Sequence, residues 1–129
     1  VSVKDELNTD GIRPDVADEI KRAFPDSERK RAAATQLARA FQMALTNPEA
    51  AMAVNTTYER AQSCLDAIEG LRPEDGPTET GDKIEGWVVN SAKRSRAYLR
   101  YNAGLSGQVF DGPEADLKAC DFDPAKMRN

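Results

Sequence analysis

Four stretches of this chain carry apolar residues at three- and four-residue spacing, each framed by a cap or proline before it and a proline, glycine or turn after it. A period near 3.6 gathers such residues on one side of an α-helix and scatters them over both faces of a strand. β-branched residues are sparse and form no strand-like run, while Ala, Arg and Glu, all good helix formers, are abundant. The chain is therefore expected to be all-α.

The first helix starts at Pro14, with Asp15, Asp18 and Glu19 complementing its dipole. It shows Val16, Ala17, Ile20, Ala23 and Phe24 on one face and stops at Pro25. Asp26 or Ser27 caps the second, which runs to about Thr46 with Ala33, Leu37, Ala40, Phe41 and Ala44 in a stripe. Gln36, Arg39 and Met43 lie on its outward side. Asn47-Pro48-Glu49 restarts the chain, and the third helix lines up Ala51, Val54, Tyr58, Ala61, Leu65 and Ile68 before Gly70 ends it. The fourth is expected to be continuous from a cap at Asp82 to about Ala103, closed by Gly104. Its inner face holds Ile84, Trp87, Val88, Ser91, Ser95, Tyr98, Leu99 and Asn102.

Connections are read from the same text. Residues 1–12 form an N-terminal arm, in which Ser2-Val3-Lys4-Asp5 has capping-box spacing and predicts a short turn of helix through Leu7. Residues 71–82 form an acidic linker rich in Pro and Gly. Past Gly104 a glycine-punctuated loop carries Leu105, Val109 and Phe110, followed by a short helical piece over 113–120 and a mobile tail at 121–129. At 129 residues this is one domain, a small antiparallel bundle of about four main helices with the C-terminal loop and short helix packed back on it.

Several chemistries are excluded by composition. The chain has no histidine, which removes His-based triads, HExxH zinc sites and Cys-His nucleophile pairs. Two cysteines without a CxxC fall short of a structural zinc site or a dithiol redox centre. GLSGQVFDG lacks the Lys-Ser/Thr of a phosphate-binding loop, and Asp121-Phe122-Asp123 runs into Pro124 without the spacing of a calcium loop. No metal, cofactor or catalytic residue is expected. Carboxylates cluster at Asp15/Asp18/Glu19, at Glu74/Asp75/Glu79/Asp82 and at Asp111/Glu114/Asp116, where helix starts and a linker account for them. Asn55-Thr56-Thr57 satisfies the glycosylation sequon but lies inside a helix.

Cys64 and Cys120 are expected to form a disulfide that pins the C-terminal segment to the third helix, stabilising the fold by roughly 4 kcal/mol through the loop it closes. Such a bond implies the periplasm or secretion; with reduced thiols the alternative is the cytoplasm. The N-terminal Val1-Ser2-Val3-Lys4-Asp5-Glu6 shows no apolar leader core, as a chain whose signal peptide has been removed would also show. No apolar run has the length of a membrane span.

By elimination the expected function is that of a non-enzymatic protein-interaction module, such as an inhibitor, an immunity-type protein or an envelope adaptor. Its partner would be a protein met by Arg96, Tyr101, Gln108 and Phe110. The alternative is a cytosolic regulator gripping nucleic acid through Lys93, Arg94, Arg96 and Arg100. Basic residues with interleaved aromatics can grip a backbone and stack bases, but a net charge of -4 opposes phosphate. Ser91, Ser95 and Asn102 either allow close helix approach or line a polar groove.

Overall fold

The computed structural model describes residues 2–75, 79–110 and 114–129, and among these it is all-helical. Five α-helices follow one another: α1 (Pro14–Ala23), α2 (Glu28–Thr46), α3 (Ala51–Glu69), α4 (Glu79–Val88) and α5 (Ala92–Ala103). Single 3-10 turns stand at Pro48–Ala50, Pro73–Asp75, Leu117–Ala119 and Pro124–Lys126. α2 is the hub: it packs most extensively on α3 and also touches α1, α4 and α5.

The helix ends follow local chemistry. Pro14 occupies the first turn of α1, and the Ser27 hydroxyl accepts from the Lys30 amide at 3.1 Å to open α2. α3 closes in a Schellman turn: Gly70 is left-handed at φ +71°, its amide bonds Ala67 O, and the Leu71 amide reaches Asp66 O at 2.9 Å. The core between these elements contains Val16, Ile20, Leu37, Leu45, Leu65, Ile84 and Val88, all at most 2% exposed.

Four expectations change. The N-terminal turn of helix does not form. Residues 2–7 lie instead as an arm on α2, with the Val3 amide donating to Leu45 O at 2.9 Å and the Val3 side chain buried. α4 starts at Glu79 rather than at Asp82. The expected fourth helix is two helices. Arg13 donates to Trp87 O and Val88 O, both at 2.9 Å, the carbonyls that a continuous helix would give to residues 91 and 92. Ser91 then caps α5 by accepting from the Arg94 amide at 3.2 Å. Finally, the short helix expected over 113–120 reduces to the 3-10 turn Leu117–Ala119, while Pro113 falls outside the described residues.

Residues 121–129, expected as a mobile tail, run back to the start of α2. The Arg29 amide donates to Arg128 O, the Arg29 guanidinium to Met127 O, and the Arg128 amide to the Glu28 carboxylate. The side of α2 expected to face outward is covered by this return. Gln36 is 6% exposed and holds the C-terminal segment with both ends of its amide, donating to Ala119 O and accepting from the Asp121 amide, each at 3.0 Å. Arg39 bridges Asp10 O and the Asp121 carboxylate.

Candidate functional site

The break before Ser91 resets which side of α5 faces the bundle. Ala97 and Tyr101 are buried, whereas Leu99, expected inside, is 66% exposed. Ser95 and Asn102 are exposed, and Ser91 is an N-cap rather than part of a stripe. Gly104 ends α5 against the start of α3. A Cβ there would lie 2.7 Å from Ala51 Cβ, so only glycine permits this approach.

That docking creates a cleft of about 200 Å³ between α2, α3 and α5, lined by Phe41, Asn55, Tyr58, Tyr98, Tyr101, Asn102 and Leu105 with alanines behind. Its rings form a connected wall: Phe41 to Tyr58 at 5.6 Å between centroids, Phe41 to Tyr98 at 6.2 Å edge to face, and Tyr98 stacked on Tyr101 at 5.6 Å. The hydroxyls are held by acceptors. Tyr98 donates to the Glu85 carboxylate at 2.9 Å, and Tyr101 donates to Asn55 Oδ1 at 3.1 Å. Asn55 in turn donates to Glu59 Oε1 at 2.7 Å, which explains why this sequon asparagine is 7% exposed. Burial pushes the Tyr58 and Tyr98 hydroxyls up, and Tyr101 up to about 12; the nearby Glu85 and Glu59 charges add to the shift.

Beyond the cleft, the segment after α5 is exposed and apolar. Val109 is 94% exposed and Phe110 40%, and Gln108 beside them is exposed, its backbone amide donating to Leu105 O. Of the four residues expected to meet a partner, Arg96, Gln108 and Phe110 are on the surface. Tyr101 is not. It is 5% exposed and belongs to the core wall of the cleft.

The basic stripe is divided. Arg94 turns inward onto Asp5 and Asn90, and Arg100 pairs with Glu49. Lys93 and Arg96 remain exposed without a partner among the described residues. Asp5 is the centre of a network that sequence reasoning missed: it accepts from Arg94 and Gln42 at 2.9 Å and lies 3.9 Å from Arg13. Burial raises the Asp5 carboxyl, but the bonds from Arg94 and Gln42 and the two guanidinium charges outweigh it and hold the group below its ordinary value. The one signal for it was Arg13 immediately before a helix-starting proline.

Cys64 and Cys120 are joined in a disulfide, with Cα atoms 4.8 Å apart and Cys64 fully buried. The neighbouring Asp116 amide donates to Ser63 O at 3.1 Å. Among the described residues no group of three acidic or cysteine side chains is placed to hold a metal ion. Asp111, from the third acidic cluster, lies outside those residues. No helix among the described residues is long and apolar enough to cross a membrane. Comparison with protein-family models, curated proteins and solved structures finds no match.

Proposed function

We propose that the chain is a non-enzymatic interaction module acting in an oxidising compartment, and that its partner is a protein docking on the C-terminal end of α5 and the segment that follows. The observation carrying this reading is the placement of exposed apolar side chains. Leu99, Val109 and Phe110 all lie in one stretch of twelve residues from 99 to 110, in which Tyr101, Asn102 and Leu105 line the recess, whereas the remaining large exposed apolar residues among those described, Leu7, Met52 and Leu117, are scattered along the chain. Exposed aromatic and aliphatic groups next to a pocket are the usual anchors of a protein interface. Arg96 and Gln108 supply polar contacts around them. The disulfide supports the compartment, since such bonds persist where thiols are not kept reduced.

The test is affinity purification from the native source with the unaltered chain and with Val109→Asp/Phe110→Asp. Both positions are exposed, so the double variant should melt with the parent. A protein recovered stoichiometrically with the parent and lost with the variant supports the reading. Equal recovery on both baits sinks it. A mobility-shift assay with Arg96→Ala separates the alternative, since nucleic-acid binding would weaken steeply with salt.

A further inference from the structure

We propose that the exposed side of α5 is a docking surface for an acidic protein segment, one that sets carboxylates on Lys93 and Arg96 and an apolar side chain on Leu99. This rests on the interface reading above and names the chemistry of its partner. The first observation is where the charge lies. The chain carries 18 basic and 22 acidic residues, yet residues 86–110 hold Lys93, Arg94, Arg96 and Arg100 and no acid. Three acids reach α5 from elsewhere: Asp5 meets Arg94 at 2.9 Å, Glu85 meets Tyr98 at 2.9 Å and Glu49 meets Arg100 at 3.0 Å. Among the described residues none meets Lys93 or Arg96, and both are exposed.

The second observation is that the fold gives these two cations nothing in return. α5 begins at Ala92 under the Ser91 cap, so Lys93 and Arg94 fall in its first turn and Arg96 just beyond it, at the helix end where the dipole favours acids. Asp5 compensates Arg94. Arg96 also lies three residues from Lys93 and four from Arg100, spacings at which like charges repel. Carboxylates brought by a partner relieve both. The third observation is the apolar group beside them. Lys93, Arg96 and Leu99 form one row at three-residue spacing that rises about 9 Å along the helix. Leu99 is 66% exposed, while Ala97 and Tyr101 turn the other side of α5 into the core. Two cations and an aliphatic group in one row match an acidic segment with an apolar centre. Nucleic-acid phosphates would meet the cations and leave Leu99 uncovered, and the acidic remainder of the chain repels a polyanion. A second copy meeting this face symmetrically would set Lys93 and Arg96 against themselves.

Three probes are titrated into the intact, oxidised protein while the backbone amides of α5 are followed by NMR: the peptide Glu-Asp-Leu-Glu-Phe-Asp-Glu, its counterpart with Gln and Asn in place of every acid, and oligothymidylate. The acidic peptide should give saturable shifts centred on residues 93–99, at least about tenfold tighter than the neutral one and several-fold weaker at about 200 mM salt than at about 50 mM. Lys93→Glu/Arg96→Glu changes exposed positions only, so it should melt with the parent and bind the acidic peptide at least about tenfold more weakly. Leu99→Ala should weaken that peptide about threefold. Equal binding of the two peptides, tighter binding of the oligonucleotide, or no saturation on α5 overturns the proposal. The charge-reversed chain also serves as a third bait in the purification from the native source. A partner lost with Val109→Asp/Phe110→Asp and with Lys93→Glu/Arg96→Glu supports an acidic occupant. One lost with the first and kept by the second overturns this proposal and leaves the interface reading standing. One lost on the charge-reversed bait alone keeps the α5 face and refutes Val109 and Phe110 as its anchors.

Discussion

Removing the Cys64–Cys120 bond is the most direct perturbation of this fold. The bond spans 56 positions of chain. In the chain-entropy account, freeing a loop of that size gives back to the unfolded state about 14 cal/mol/K, or about 4 kcal/mol at room temperature. Against a total of about 5–15 kcal/mol for a domain, this is a large share. The structure also says where the loss appears. Residues 114–129 keep other anchors: Asp116 on Ser63, both bonds of Gln36, and the Arg29, Glu28 and Met127 contacts at the start of α2. Ala119 stays buried against the core. The double variant Cys64→Ala/Cys120→Ala should therefore keep its C-terminal segment docked and unfold in one step, with the cost residing in the freed denatured chain. Urea titration followed by circular dichroism and by Trp87 fluorescence should show coincident transitions, a lower midpoint and a steeper slope, because the uncrosslinked chain exposes more surface. The melting temperature should fall by about 12–20 °C. A loss below about 1 kcal/mol, or a separate early transition in which the C-terminal segment leaves a stable bundle, would refute the reasoning.

Other consequences follow from the buried polar groups and close contacts. Asp5→Ala leaves the Arg94 guanidinium and the Gln42 amide without their acceptor, while Arg13 keeps its bonds to Asp15, and should cost about 2 kcal/mol at pH 7 by chemical denaturation. Because the folded-state pKa of Asp5 is depressed, its contribution is complete above the unfolded carboxylate value and disappears as pH falls through the folded one; the stability gap between parent and Asp5→Asn should narrow below about pH 4. All three tyrosine pKa values are raised, so the stabilisation from keeping them neutral is intact below about pH 10 and is lost as pH rises through the folded values; absorbance at about 295 nm should show no native step near pH 10, only a late rise accompanying unfolding. Gly104→Ala should cost about 1–3 kcal/mol by thermal melting, since its new methyl meets Ala51, whereas an alanine tolerated with no loss would mean that α5 and α3 sit farther apart.

The helices were legible because their evidence is local. Proline at the start of α1, Ser27 before α2 and Gly70 after α3 act within a few residues of themselves. What the sequence hid was long-range. Arg13 ends α4 from 75 residues away, by taking carbonyls whose availability no local pattern reveals. Once that break is missed, a helical wheel drawn through it carries the wrong phase into α5, which placed Leu99 inside and Tyr101 on the surface. Ser91 was by itself an N-cap candidate, but with Arg94 instead of Glu or Gln three residues on it carried no capping box, and a continuous apolar stripe overrode it. The tyrosine cleft was equally hidden, since its walls come from residues 41, 58, 98 and 101 on three helices.

The composition of α2 explains why the surface divides as it does. Ala33, Ala34, Ala38, Ala40 and Ala44 are all buried, and with Gln36, Leu37, Phe41, Gln42 and Leu45 they take up most of the circumference of the helix. A helix apolar on one side only needs one neighbour; this one is enclosed by α1, α3, α4, α5, the N-terminal arm and the returning C-terminal segment. Alanine suits that position because its small side chain lets several elements approach closely without overpacking. The polar residues on α2 are then obliged to bond the covering segments, as Gln36 does with the C-terminal return and Gln42 with Asp5. With its two terminal segments laid on the hub, the chain has little left with which to cover α5. Among the described residues the outer face of that helix and the segment after it are left exposed, with Leu99, Val109 and Phe110 as the apolar surface still open.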